Sequence, residues 1–133
     1  MRFNYIKLPT KDRNFIELPL IPVAFKKEGG CFCLIDSGAD YSYLDANIGE
    51  ALGLDVKSGK IFRSKGITGR EFTAYFHKIN FIVGVWNFEG NFGFSYELGT
   101  PFGILGRDDF FTLFKITFKH PKKIIDIVPF EEN

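Results

Sequence analysis

The sequence is poor in several residue types, and each shortage excludes something. It has two cysteines, one methionine, one tryptophan and two histidines in 133 residues. Two cysteines cannot build the multi-bridge framework of a small secreted scaffold. Cys31 and Cys33 stand two positions apart, so on a strand they face the same way, and a bridge between them would strain the backbone. They read either as a redox or metal pair or, more simply, as two small, reduced, buried hydrophobes, which fits a reducing compartment. His77 and His120 are isolated, and no His, Cys, Asp and Glu cluster has ligand spacing, so no metal and no cofactor are expected. Net charge is +1, and the longest basic blocks are the pairs Lys26-Lys27 and Lys122-Lys123. A nucleic-acid partner is not expected, because phosphate binding needs a concentrated basic face. Gly-rich spacing suited to a phosphate cradle is missing too. No apolar run approaches the roughly 20 residues of a membrane span. No charged-then-apolar leader with a small-residue cleavage site opens the chain, so the expected location is cytoplasmic and no membrane partner is expected.

What the chain has in quantity is phenylalanine, 17 residues, with five tyrosines and 45% hydrophobic residues overall. That composition favours strands over helices and suffices for a packed core. The length fits a single domain over residues 1–133. Strand signals cover 2–8 and 15–27, broken by the polar turn from Thr10 to Asn14. Glu28-Gly29-Gly30 reads as a hairpin turn leading to a short apolar strand, 31–35. Leu44, Ile48 and Leu52 recur at helical spacing, which predicts a short helix over 44–52, with Ser42 and Asp45 as a capping box and Gly53 as its left-handed stop. Residues 60–84 predict a long hairpin turning at Gly66-Ile67-Thr68-Gly69. A second hairpin joins 78–84 to 88–96 around Trp86-Asn87. A brief helix is expected over 107–113, with Asp108 and Asp109 in its first turn. Strand 114–119, a turn at 120–123 and strand 124–128 close the chain.

Two segments carry the chemistry. Leu34-Ile35-Asp36-Ser37-Gly38-Ala39 and Ile104-Leu105-Gly106-Arg107-Asp108 are apolar runs that stop at a small or acidic residue. The first places a carboxylate at a strand end with a hydroxyl and a glycine directly after it. Such a carboxylate is costly to bury unless it is used. Taken alone, it is as easily a turn-capping aspartate. Asp12, Asp45, Asp55 and Asp126 read as solvated or capping residues, and His77, His120 and Trp86 as structural ones.

In their order and spacing, Asp36-Ser37-Gly38-Ala39, the glycine-bounded tip 66–69 and Ile104 to Asp108 resemble the retropepsin-like aspartic proteases. The resemblance spans residues 31–113. It implies an all-β fold, a closed acid-protease barrel with two short helices. It implies Asp36 as the catalytic residue, supported by Ser37, Gly38, Ala39, Asp40 and Arg107, the last two as a charged pair bracing the floor. It implies a flap at Gly66, Ile67, Thr68 and Gly69 closing over a polypeptide substrate bound as an added strand. Ile67, Phe62 and Phe102 hint at apolar substrate pockets. Metal-free peptide hydrolysis of this kind needs two carboxylates sharing a proton. Asp-Ser-Gly occurs once here, and Asp108-Asp109 lacks the following hydroxyl and glycine. The expected enzyme is therefore an aspartic endopeptidase only as a homodimer, each subunit giving one Asp36. Residues 1–8 and 124–130 could interleave at the subunit seam, as the chain ends of viral relatives do. The alternatives are a catalytically inactive peptide- or protein-binding domain of the same fold, and a purely structural β domain.

Overall fold

Aromatic and β-branched residues fill a pleated, half-buried surface well, and this chain uses them that way. The structure, a computed structural model, describes residues 1–12, 14–25, 29–65 and 69–131. The strands are β1 (Arg2–Asn4), β2 (Ile6–Pro9), β3 (Phe15–Leu18), β4 (Leu20–Val23), β5 (Cys31–Ile35) and β6 (Ser42–Asp45). Helix α1 (Ala46–Ala51) follows, then β7 (Lys60–Lys65), β8 (Glu71–Val83), β9 (Trp86–Ser95), β10 (Gly103–Leu105), β11 (Phe114–Lys119) and β12 (Ile124–Pro129). They form a seven-stranded sheet in the order β4-β5-β10-β6-β9-β8-β7, a three-stranded sheet β1-β12-β11 and a two-stranded sheet β2-β3.

The closed barrel is not formed. The large sheet is open, with β4 and β7 at its edges. β4 contains Pro22, which has no N–H and suits an edge. A bridge at Ala24 and Ile82, with both hydrogen bonds at 2.9 Å, ties the chain beyond β4 to β8 without growing into a ladder. Between the layers lie fully buried aromatic rings, Phe81, Phe92, Phe94, Phe110 and Phe114, with aliphatics such as Leu44, Leu105 and Ile127. Phe81 meets Phe92 edge to face at 5.2 Å between ring centres, the arrangement that ring quadrupoles favour.

Local chemistry explains where elements differ from expectation. The strand expected over 15–27 is cut in two at Pro19, and Lys26, Lys27 and Glu28 lie outside the described residues. The helix expected over 44–52 begins at Ala46. Leu44 and Asp45 belong to β6, and Asp45 alone is the cap, accepting from Asn47 N at 2.8 Å. Gly49 is buried in α1, where an added Cβ would stand 2.9 Å from the Phe94 ring. Gly53 ends the helix at φ 84°. The second short helix is one wide turn, Arg107–Phe111, interrupted by Asp109 at φ 65°. The β8–β9 hairpin pairs Val83 with Trp86, so its turn is Gly84-Val85, two residues earlier than expected. Trp86 packs against Phe114, and His77 Nε2 lies 2.7 Å from Val56 O. No described helix is long and apolar enough to cross a membrane.

The chain ends meet inside one subunit. β12 is the central strand of its sheet, with β1 on one side and β11 on the other. The Met1 amine donates to Ile127 O at 2.7 Å. On the outer face Asp126 accepts from Arg2 at 2.9 Å and lies 2.9 Å from the Lys119 ammonium. These two cations, through hydrogen bonds first and charge second, hold the Asp126 carboxyl well below the usual carboxylate range. A depressed native pKa contributes stability that is complete above the unfolded value of about 3.9 and is lost as pH falls through the native one. Asp126→Asn is therefore expected to lower Tm slightly near neutral pH, the ion cluster being exposed. In thermal melts across pH, the gap from wild type should shrink steadily below about pH 4.

Candidate active site

The site is built where two parallel strands end together. β5 and β10 pair as Gly103 with Cys33, Ile104 with Leu34 and Leu105 with Ile35. Both chains leave the sheet at one level and cross. Asp36 N donates to Leu105 O at 3.0 Å. The chain then folds back on itself: Gly38 N donates to Asp36 Oδ1 at 2.9 Å and Ala39 N to Asp36 O at 3.2 Å. An aspartate accepting from the backbone two residues on is a self-made turn. It fixes the carboxylate in direction without burying it: Asp36 is half-buried and Ser37 and Gly38 are exposed.

The second chain closes over this turn. Arg107 N donates to Ala39 O at 2.9 Å, Asp108 N to Asp40 O at 2.9 Å and Gly106 N to Ser42 Oγ at 3.0 Å. Ser42 is buried; read from sequence as part of a helix cap, it is instead the clasp between the crossing loops. Arg107 also forms an ion pair with Asp40. Both partners are more than half exposed, so the pair orients the loop more than it stabilises it. Asp109 does not face this corner in function: its carboxylate accepts from Asn91 N at 2.6 Å.

Beside Asp36 opens a groove of about 780 Å³. Asp36, Gly38 and Ala39 line its floor, Phe102 and Ile104 one flank, and Phe62 and Phe72 of the β7–β8 hairpin its roof side. The hairpin is held to the floor by aromatic contacts. Tyr41 stacks on Phe62 at 6.2 Å, and Phe76 meets both edge-on, at 5.3 and 5.2 Å. The Tyr43 hydroxyl lies 2.8 Å from Ser64 Oγ, and burial pushes the Tyr43 phenol up. Neither tyrosine was singled out from sequence; both directly follow the Asp36 turn, and that adjacency was the available signal. Of the expected flap tip, Gly66, Ile67 and Thr68 lie outside the described residues, and Gly69 takes φ 80°. Cys31 and Cys33 sit with sulfurs 3.7 Å apart, unbridged, and the Cys33 thiol is pushed well up by its bond to Cys31 and by burial. Among the described residues no three His, Cys, Asp or Glu side chains converge as a metal site.

This crossing of two strand ends beneath a hairpin is a retropepsin-like arrangement, and the fold comparison gives the same class. The chain superposes on a retropepsin-like aspartic protease from Rickettsia conorii with a TM-score of 0.63, over 96% of this chain and 98% of that one, at 15% identity. The likeness is one of fold. No protein-family model matches the chain, and no curated protein matches it in sequence.

The crossing has no spare room at Gly106, where a Cβ would stand 2.2 Å from Tyr41 O and 2.8 Å from Ala39 O. These are backbone atoms and cannot swing aside. Gly106→Ala is expected to cost about 3 kcal/mol in urea unfolding, the upper range for overpacking. Gly29→Ala, with no atom of the described residues within 4 Å of the new methyl, serves as the neutral control.

Proposed function

We propose that this chain is an aspartic endopeptidase that works as a homodimer, with Asp36 of each subunit forming the catalytic pair. The observation that carries the reading is the position of Asp36. It is one directed, half-exposed carboxylate lining a groove of about 780 Å³, in a chain with one Asp-Ser-Gly. The retropepsin-like fold supports it.

In such a pair, like charges about 3 Å apart cannot both ionise, so the two carboxyls hold one proton between them; aspartic proteases are the standard instance of this effect. The ionised member takes a proton from water, and the water oxygen attacks the peptide carbonyl carbon. The protonated member gives its proton to the carbonyl oxygen. The resulting gem-diol collapses, the C–N bond breaks, and the nitrogen leaves as an amine carrying a proton returned from the pair. Substrate would lie along the groove as an added strand, with apolar side chains against Phe62 and Phe102, and with residues 66–69 closing over it as a flap. Ser37 would bond across the pair, while Arg107 and Asp40 would brace the floor from below.

Asp36→Asn is expected to lower cleavage of an apolar-flanked peptide library by at least about 10³-fold while leaving the thermal melt in place, a loss in the range of removing a positioned acid–base group. Specific activity of the wild type should fall on dilution in step with dissociation. A stable monomer that binds peptide and hydrolyses none across acidic pH would replace this reading with that of a binding domain.

A further inference from the structure

The two-stranded sheet β2-β3 is unlike the rest of the fold. Among the described residues it hydrogen-bonds to no third strand. Its register pairs Ile6 with Leu18 and Leu8 with Ile16, so by strand alternation these four aliphatic side chains share one face. The other face carries Lys7, Glu17 and Phe15, with the Lys7 ammonium 6.0 Å from the Phe15 ring centre. None of the four aliphatic residues belongs to the buried core: Ile6, Leu8 and Leu18 are half-buried and Ile16 is 46% exposed. A lone two-stranded hairpin is marginal in water, and an aliphatic face that is only partly covered gives it little further stability.

The place of this hairpin matters. At its root, Ile35 N donates to Pro19 O at 3.1 Å, and the next residue is Asp36. At the same root Tyr5 N donates to Lys123 O at 2.9 Å. The arm thus runs on into β4, which pairs with the strand that delivers the carboxylate. The seam used by viral relatives has a different difficulty here. β12 already has a strand on each side within its own subunit, so it has no free edge for a partner's strand.

We propose that the β2-β3 hairpin is the dimerisation arm, its Ile6, Leu8, Ile16 and Leu18 face packing on a second copy of this chain. The proposal rests on the reading of Asp36 as half of a catalytic pair. A second copy is the occupant because the proposed site lacks one carboxylate, and because a two-fold contact made beside the C-terminal end of β5 would bring the two Asp36 turns toward each other. Such a contact is isologous, each subunit giving and receiving the same face.

The test is sedimentation equilibrium on the full chain, run beside peptide cleavage. Ile16→Glu places a charge on the proposed seam and is expected to weaken self-association by about 100-fold or more, because the carboxylate would be buried without a partner. Residue 16 is already partly in water, so the monomer should keep its fold. Val85→Glu, at the 80% exposed tip of the β8–β9 hairpin, should leave self-association unchanged. Mixing Ile16→Glu with Ile16→Lys chains should restore a dimer, which a local folding defect would not do. An Ile16→Glu chain that dimerises and cleaves like the wild type overturns the arm and leaves the Asp36 pair standing. An Ile16→Glu chain that loses peptide binding but not self-association also overturns it, marking the face as a substrate surface. If Ile16→Glu breaks the dimer while Asp36→Asn still cleaves, the arm holds and the catalytic pair fails. A wild type that stays monomeric at about 100 µM overturns the arm.

Discussion

Everything at the functional end of this protein depends on how closely two backbones can cross. β5 and β10 are parallel neighbours, so they run out of the sheet side by side and in the same direction. Their continuations must pass one over the other, and the clearance is set by the Gly106 hydrogen standing where any side chain would meet Tyr41 O. Given that clearance, the amides of Asp36, Gly106, Arg107 and Asp108 all find acceptors on the opposite segment. Buried backbone groups are almost always paired, so the crossing satisfies a requirement that loops at a strand end otherwise meet with water. The carboxylate of Asp36 is aimed by this frame and not by a side-chain neighbour. It is therefore held in direction while half-exposed.

The same crossing divides the molecule. On one side lies the groove, roofed by a hairpin whose base is fixed through Tyr41, Tyr43, Phe62 and Phe76. On the other lies the core of buried phenylalanines, which reaches the crossing through Leu105 and Phe110. The contacts run up the hairpin as far as Ser64 and Phe72, which both meet Tyr43, one residue short of the Lys65–Glu71 pair.

Much of this was legible in the sequence, for identifiable reasons. The Asp36 corner, the closing strands 114–119 and 124–128 and the Gly53 helix stop are local patterns: an apolar run ending at a polar turn, or a glycine where φ must be positive. Boundaries set by tertiary contacts were not legible. Leu44 and Asp45 have the spacing of a helix start, but Leu44 is drawn into β6 by pairing with Phe94 of β9, which is distant in the chain. Ser42 looks like a cap and instead serves Gly106, 64 residues away. The open sheet was missed for a related reason. Closure depends on how far the chain beyond β4 pairs with β8, and in the structure that contact stops at one bridge. The split at Pro19 was readable in principle, since a proline withholds a donor from any ladder.

The number of carboxylates is the last constraint, and it links the site to the surface. Asp108-Asp109 follows the other strand end but lacks the hydroxyl and glycine that follow Asp36, and the left-handed backbone of Asp109 turns its carboxylate to the Asn91 amide. Asp108 is exposed and gives only its amide to the crossing. Within the described residues the groove floor therefore has one acid directed by the Asp36 turn, and Asp40 beside it is already paired with Arg107. A catalytic pair, on the proposed reading, has to be completed from outside the chain. The β2-β3 sheet, whose aliphatic face is only partly covered among the described residues, ends beside that acid, where Pro19 O accepts from Ile35 N. On the proposed reading, the missing carboxylate and the hydrophobic partner thus fall at the same end of β5, and one two-fold axis would supply both.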